Sequence, residues 1–237
     1  MYLLFFQFIS SVAVICMYTV VMARVYRRFD RPVVDKIRQC LAAEGRVMIS
    51  EKIKNDLHIN IKNQNQKRAS VLIPLCNVND TPSILFTLRS NKTSTHKSQV
   101  SFPGGHIDDN ETAEEAALRE TFEEIGLNKS SIEVLAEFQT IPAITNTLVT
   151  PLLGYIGDVD VNSLTPSPNE VDKIFVRSIS ELCDSNKRSI ETLSRNGVTL
   201  EFPVFWDVGK NEKIWGLTAL ILNTTLNKAI LPNMNTN

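Results

Sequence analysis

Three glutamates, Glu120, Glu123 and Glu124, stand at i, i+3 and i+4 in a stretch whose apolar pattern is helical. On a helix that spacing gathers three carboxylates on one face, with neighbouring Cβ atoms about 6 Å apart. Carboxylates this close repel, and each resists ionisation unless a cation sits among them. Hard oxygen ligands of this kind suit Mg²⁺ or Mn²⁺. Taken alone, such a run is ordinarily a solvated acidic face, so its meaning depends on what surrounds it.

Residues 104–127 read GGHIDDNETAEEAALRETFEEIGL. Thr112 with Glu115 three residues on forms a capping box, and Gly126 supplies a C-terminal stop, which predicts a helix over 112–125. At about 100° per residue, Leu118, Phe122 and Ile125 fall together opposite the glutamates, so they are the expected buried face. Gly105, Glu111, Arg119, Glu120, Glu123, Glu124, Gly126 and Leu127 match in register the pattern G-x5-E-x7-R-E-U-x-E-E-x-G-U, where U is a bulky aliphatic. Thr121 at the first U position departs from it. On these residues the chain resembles the Nudix hydrolases.

The resemblance implies a Nudix-type α/β/α sandwich with a mixed β-sheet. It implies a Mg²⁺- or Mn²⁺-dependent enzyme that cuts a diphosphate linkage. Glu120, Glu123 and Glu124 are then the metal-binding carboxylates, one of them a base acting through water, and Gly104 or Gly105 adds a backbone carbonyl ligand. Arg119 orients the glutamates by ion pairing, and Glu111 supports the turn into the helix. The chemistry is consistent: cations screen the charge of a diphosphate and stabilise the departing phosphate.

Just upstream, ILFTLRSNKTSTHKSQVSFPGG resembles the element that precedes this box in coenzyme A diphosphatases. Thr87, Arg89, Ser90, His96, Gln99, Val100, Phe102, Pro103, Gly104 and Gly105 match; Thr93-Ser94 and Ser98 replace the usual Leu-Arg and Gly. The resemblance implies substrate contacts by Arg89, His96 and Gln99, with Lys92 and Lys97 nearby. Pro168-Asn169-Glu170-Val171 resembles a later family segment and makes Glu170 a second candidate for catalytic base or distal metal ligand. The expected reaction is hydrolysis of coenzyme A, and of acyl-CoA esters equally, to 3′,5′-ADP and 4′-phosphopantetheine. Two alternatives stay open: a Nudix hydrolase of another nucleoside diphosphate such as ADP-ribose or a dinucleotide, and an inactive Nudix domain serving as a binding module at a membrane.

The elements that must position these groups are legible in outline. Apolar runs predict strands at Ala69–Val78 and Ile84–Arg89, joined by the turn signal Asn79-Asp80-Thr81-Pro82. Further strands are predicted at 131–140, 147–157 and 172–177, with an extended stretch at Pro203–Trp206. Helices are predicted near 32–44, at 178–184 and at Ile214–Leu226. Strands mixed with a few helices, without regular alternation, indicate an α/β sandwich.

A net charge of −1 argues against a nucleic-acid binder that relies on neutralising phosphates, so no nucleic-acid partner is expected, with a local basic pocket left open. Cys16, Cys40, Cys76 and Cys183 are dispersed and suggest neither a zinc site nor disulfides; Cys76 reads as a buried hydrophobe. Residues 1–23 carry no charged side chain and are long enough to cross a bilayer, and Arg24, Arg27, Arg28 and Arg31 follow. This reads as a single-pass transmembrane anchor with the domain on the cytosolic side. A mitochondrial presequence and a cleaved signal peptide are the rivals, and a start at Met22 would remove the segment. Five N-x-[ST] triplets, two of them flanking the glutamate helix, read as unused. The expected organisation is an anchor (1–23), a juxtamembrane linker (24–68), a Nudix domain (69–226) and a C-terminal tail (227–237).

Overall fold

β1 (Arg68–Val78) is apolar along most of its length because both of its faces are covered. The structure, a computed structural model, describes residues 28–45, 47, 66–92, 98–143, 145, 147–195, 198–207 and 210–234. β1 turns into β2 (Thr81–Arg89) through Asn79 and Asp80, both at positive φ, 49° and 60°. Val78 pairs with Thr81 across this two-residue hairpin, a geometry for which Asn and Asp are suited. On its other side β1 runs parallel to β7 (Leu148–Asp158), from Arg68↔Leu148 to Leu75↔Tyr155.

The remaining neighbours are antiparallel. β3 (Val100–Ser101) and β8 (Val171–Ser178) pair with β2, β4 (Gly104–His106) with β1, and β5 (Glu133–Glu137) and β6 (Ile141–Pro142) with β7. The sheet is therefore mixed, as expected. A second, antiparallel sheet holds β9 (Arg188–Arg195), β10 (Val198–Asp207) and β11 (Lys210–Ile214) in the order β11-β10-β9.

Strand alternation decides what covers each face. Ile73 and Leu75 of β1, Phe86 of β2 and Leu153 of β7 enter one large cluster. Also in it are Val34, Ile37 and Leu41 of α1 (Arg31–Glu44), and Leu226 and Ile230 of the chain's closing helical segment. Leu72 and Cys76 point the other way, toward Ala117 and Ile125 of α2 (Ala113–Ile125). Burial without a charged partner pushes the Cys76 thiol up to about 12, in keeping with an inert core residue.

Several expectations change. Residues 28–45 and 47 are not linker: Phe29, Val34, Ile37, Leu41 and Val47 are essentially fully buried, and Val47 bridges Phe138. The expected tail is likewise packed through residue 234. A helix at Gly216–Thr224 continues as a π-helical segment, Thr225–Ile230, and a short turn, Leu231–Met234, burying Ala229, Ile230 and Met234. Strands β9 and β11 join the one expected at 203–206. The apolar run 1–23, read as a transmembrane helix, lies outside the described residues, and among those described no helix is long and apolar enough to cross a membrane.

Candidate active site

Helix α2 starts as its sequence dictates. Thr112 accepts from the Glu115 amide and Glu115 returns a bond to the Thr112 amide, while Gly126 ends the helix in the left-handed region at φ 72°. Of Leu118, Phe122 and Ile125, only Ile125 is fully buried. Ala116, Ala117, Thr121, Glu124 and Ile125 are buried, whereas Phe122 is 55% exposed. The Thr121 hydroxyl donates back to the Ala117 carbonyl at 2.6 Å, so the polar atom at the atypical position is satisfied. Small side chains on this face let the helix backbone approach β1 and β4 closely.

The glycine pair forms the floor that the glutamates meet. Gly104 has φ +145°, and a Cβ there would lie 2.3 Å from the Ser70 carbonyl oxygen and 2.6 Å from the Val71 Cα. A Cβ on Gly105 would sit 2.4–2.5 Å from the carboxylate atoms of Glu120. Gly104 thus requires glycine against backbone, whereas a side chain at Gly105 would displace the carboxylate end of Glu120.

Arg119 is the hub of the carboxylates. Its Nε and Nη2 donate to the two oxygens of Glu111 at 2.9 and 3.0 Å, the bidentate geometry that guanidinium favours. Nη1 donates to Glu120 Oε1 at 3.0 Å and to Glu123 Oε2 at 3.1 Å, and Nη2 also reaches the His106 carbonyl. Pairing with Arg119 holds the Glu111 carboxyl below its usual range, and these carboxylates raise the guanidinium further.

The three glutamates are not equivalent. Glu123 is half exposed, Glu120 is largely covered and Glu124 is 3% exposed. Glu124 Oε2 accepts from the Gly104 amide at 3.1 Å, and Oε1 faces Arg89 Nη1 at 3.4 Å. Burial pushes the Glu124 carboxyl up to about 7; the Gly104 amide and Arg89 oppose that rise, and Glu120 and Glu170 add to it. Burial also raises Glu120, with Arg119 in opposition and Glu123 and Glu170 contributing repulsion.

Glu170 is brought to this site by a loop tied to the end of α2. The Thr165 and Ser167 amides donate to the carbonyls of Ile125 and Glu124, and the Glu170 amide donates to Ser167. The Ser90 amide then donates to the Glu170 carbonyl at 2.8 Å, fixing it beside the end of β2. Arg89, Glu124 and Glu170 are therefore adjacent although they are far apart in sequence.

Of the residues singled out from sequence, Arg89, Gly104, Arg119, Glu120, Glu123, Glu124 and Glu170 come together. Gln99 stands at the root of the loop that follows β2, its carbonyl accepting from the Arg89 amide at 3.0 Å. His96 lies outside the described residues. The Arg89–Glu124 pair and the Thr165–Ser167 brace were not anticipated: both depend on tertiary contacts that no local pattern reports.

Among the described residues no three carboxylate, imidazole or thiol side chains already converge as a ligand set. Glu120 and Glu123 turn to Arg119, and Glu124 to Arg89 and Gly104. The donors nonetheless fit a hard divalent cation: oxygen ligands from adjacent turns of one helix, two of them in a partly desolvated setting where a counter-charge would relieve the cost of ionisation.

The comparisons with known proteins agree with this geometry. Residues 66–195 match the model of the NUDIX domain. The chain is 37% identical over 161 residues to mitochondrial coenzyme A diphosphatase NUDT8 of Mus musculus, a match covering 67% of this chain and 76% of that protein. It is 36% identical to the Homo sapiens protein of the same name, covering 67% of each chain. Nudix hydrolase 3 of Caenorhabditis elegans is 37% identical over 171 residues, covering 66% of this chain and 71% of that one. With the glutamate helix, its arginine hub and the glycine floor in place, the chain belongs to the Nudix hydrolase family.

Proposed function

We propose that this enzyme hydrolyses the diphosphate linkage of coenzyme A, yielding 3′,5′-ADP and 4′-phosphopantetheine. The observation that carries the reading is the element Thr87–Gly105, which resembles that of coenzyme A diphosphatases and ends on the glycine floor, with Arg89 3.4 Å from Glu124. The names of the mouse and human relatives support it. Acyl-CoA esters fit the same reaction, because the bond cut is remote from the thiol end.

Nudix hydrolases generally use divalent cations, and Mg²⁺ or Mn²⁺ is the proposed cofactor, held by Glu120, Glu123 and Glu124 with the Gly104 carbonyl. A bound cation supplies charge screening for the diphosphate and acidifies a water at the site. The protein's own groups do the rest. Arg119 fixes the orientation of Glu120 and Glu123 through the bonds it also makes to Glu111. The Gly104 amide fixes Glu124. Arg89, with His96 and Gln99, is proposed to hold the substrate phosphates. Glu170, exposed at the end of its braced loop, is proposed to accept the proton of the attacking water, with Glu123 the alternative base. Water adds to one phosphorus, the bridging P–O bond breaks, and the other phosphate leaves with the bridging oxygen.

Chromatography of products from coenzyme A, with Mg²⁺ or Mn²⁺, tests this. Release of 3′,5′-ADP by the wild type, absent from Glu124→Gln, is the expected result. Turnover of ADP-ribose but not coenzyme A would keep the chemistry and remove the substrate. For localisation, residues 1–23 are proposed as a targeting or anchoring segment; the names of the mouse and human relatives favour mitochondria over a membrane anchor facing the cytosol. Carbonate extraction of isolated mitochondria separates the two.

A further inference from the structure

Arg89 is poorly placed for a residue that serves substrate alone. Its Nη1 lies 3.4 Å from Glu124 Oε1, while among the described residues its buried Nε has no hydrogen-bond partner. Glu124 itself is nearly inaccessible, and its other oxygen is taken by the Gly104 amide. The oxygen of Glu124 not bonded to backbone is therefore the one that faces a guanidinium. Two positive groups cannot share that oxygen at close range without strong repulsion.

We propose that Arg89 is a positioning residue that holds Glu124 in the cation-free site, yields it when a divalent cation binds, and then turns its guanidinium to the substrate phosphates. The inference rests on the metal-dependent reading above. Arg89 is the last residue of β2, and its backbone is held by Gln99, Ser98 and Val171, so a turn of its side chain leaves the pairing of the sheet intact. Among the described residues its Nε donor is unused, and buried donors are normally paired. A phosphate oxygen would complete the fork, which a single carboxylate oxygen at 3.4 Å does not. Sequential occupation also gives a reason for Glu124 to be buried: the carboxylate is kept in position before the cation arrives.

The test is Mn²⁺ binding to the full-length protein, read from the free-ion paramagnetic resonance signal without substrate. Arg89→Gln is expected to bind Mn²⁺ about fivefold more tightly than wild type, the loss of one competing ion pair. Lys173→Gln, which removes a cation from the neighbouring strand, is expected to stay within about twofold because that lysine is paired with Glu212. With Ca²⁺ present, Arg89→Gln is expected to lose about tenfold in affinity for inorganic pyrophosphate, one charge-assisted contact. A damaged fold would weaken Mn²⁺ binding, so a gain is not an artefact of misfolding. Unchanged or weaker Mn²⁺ binding in Arg89→Gln, an equal gain in Lys173→Gln, or undiminished pyrophosphate binding would each overturn the proposal while leaving the metal reading intact. A wild type that binds no Mn²⁺ at all would remove both.

Discussion

Glu124→Gln should abolish activity and, in the cation-free protein, stabilise the fold at neutral and alkaline pH. The Glu124 carboxyl is raised from 4.5 to about 7, chiefly by burial. Between those values the folded protein holds a proton that the unfolded chain has released, so stability falls as pH rises through this window. The favourable contribution is complete below about pH 4.5 and lost above about pH 7, an amplitude of about 3 kcal/mol at 1.36 kcal/mol per tenfold. Glutamine cannot titrate and lacks this slope. Urea unfolding of both proteins in EDTA at pH 5 and pH 8 measures it: the stability difference should move by about 2–3 kcal/mol in favour of the variant on going to pH 8. Saturating Mn²⁺ should then restore the wild type at pH 8 but not the variant, since a ligand stabilises only the fold that binds it. Parallel pH dependences in EDTA would refute the reasoning and show that solvent or Arg89 already compensates the charge.

The glycine pair should separate fold from function. Gly104→Ala drives a methyl into β1 backbone at positive φ and should cost several kcal/mol, about 3 or more, in urea melts. Gly105→Ala meets only the mobile end of Glu120, so stability should change by less than about 1 kcal/mol while Mn²⁺ affinity drops. Phe29→Ala, or truncation to residue 30, should cost about 3–5 kcal/mol, because Phe29 is fully buried and its backbone bonds Asn77 and Tyr155. Glu212→Gln should cost about 3 kcal/mol by leaving buried Arg177 without its carboxylate; Glu212→Gln paired with Arg177→Met should recover most of it, by the same melts.

The glutamate helix was the most legible part of the molecule, because its caps, its glutamates and Arg119 lie within one local stretch. Its orientation was not. Leu118 and Phe122 look like the inward stripe, yet the helix turns Ala117 and Thr121 inward so that Glu120 and Glu124 reach the glycine floor. Hydrophobic periodicity assumes that burial follows apolarity, and here a close approach to β1 decides instead. β1, β2 and β7 read clearly from their apolar runs. β9 and β11 did not: Arg188–Arg195 and Lys210–Ile214 carry mostly polar side chains and are held by cross-strand pairing rather than by an apolar pattern of their own. The helix near 32–44 was legible, but the docking of Phe29, Val34, Ile37, Leu41 and Val47 was not, nor were the pairs Arg89–Glu124 and Arg177–Glu212, each 35 residues apart.

Arg28 lies across the hairpin end of the sheet, bonded to Asp80 and to both oxygens of Asp158, with Phe29 locked behind it by Asn77. Gly104 and the glutamates lie at the other end of β1, beside Val71. Seven residues of strand separate Val71 from Val78, about 23 Å. Whatever is joined to the chain ahead of Arg28, a dye, a purification handle or a surface support, therefore leaves from the pole opposite the chemistry. A support joined directly at Arg28 should present the glutamates outward, and its turnover per molecule should equal that in free solution.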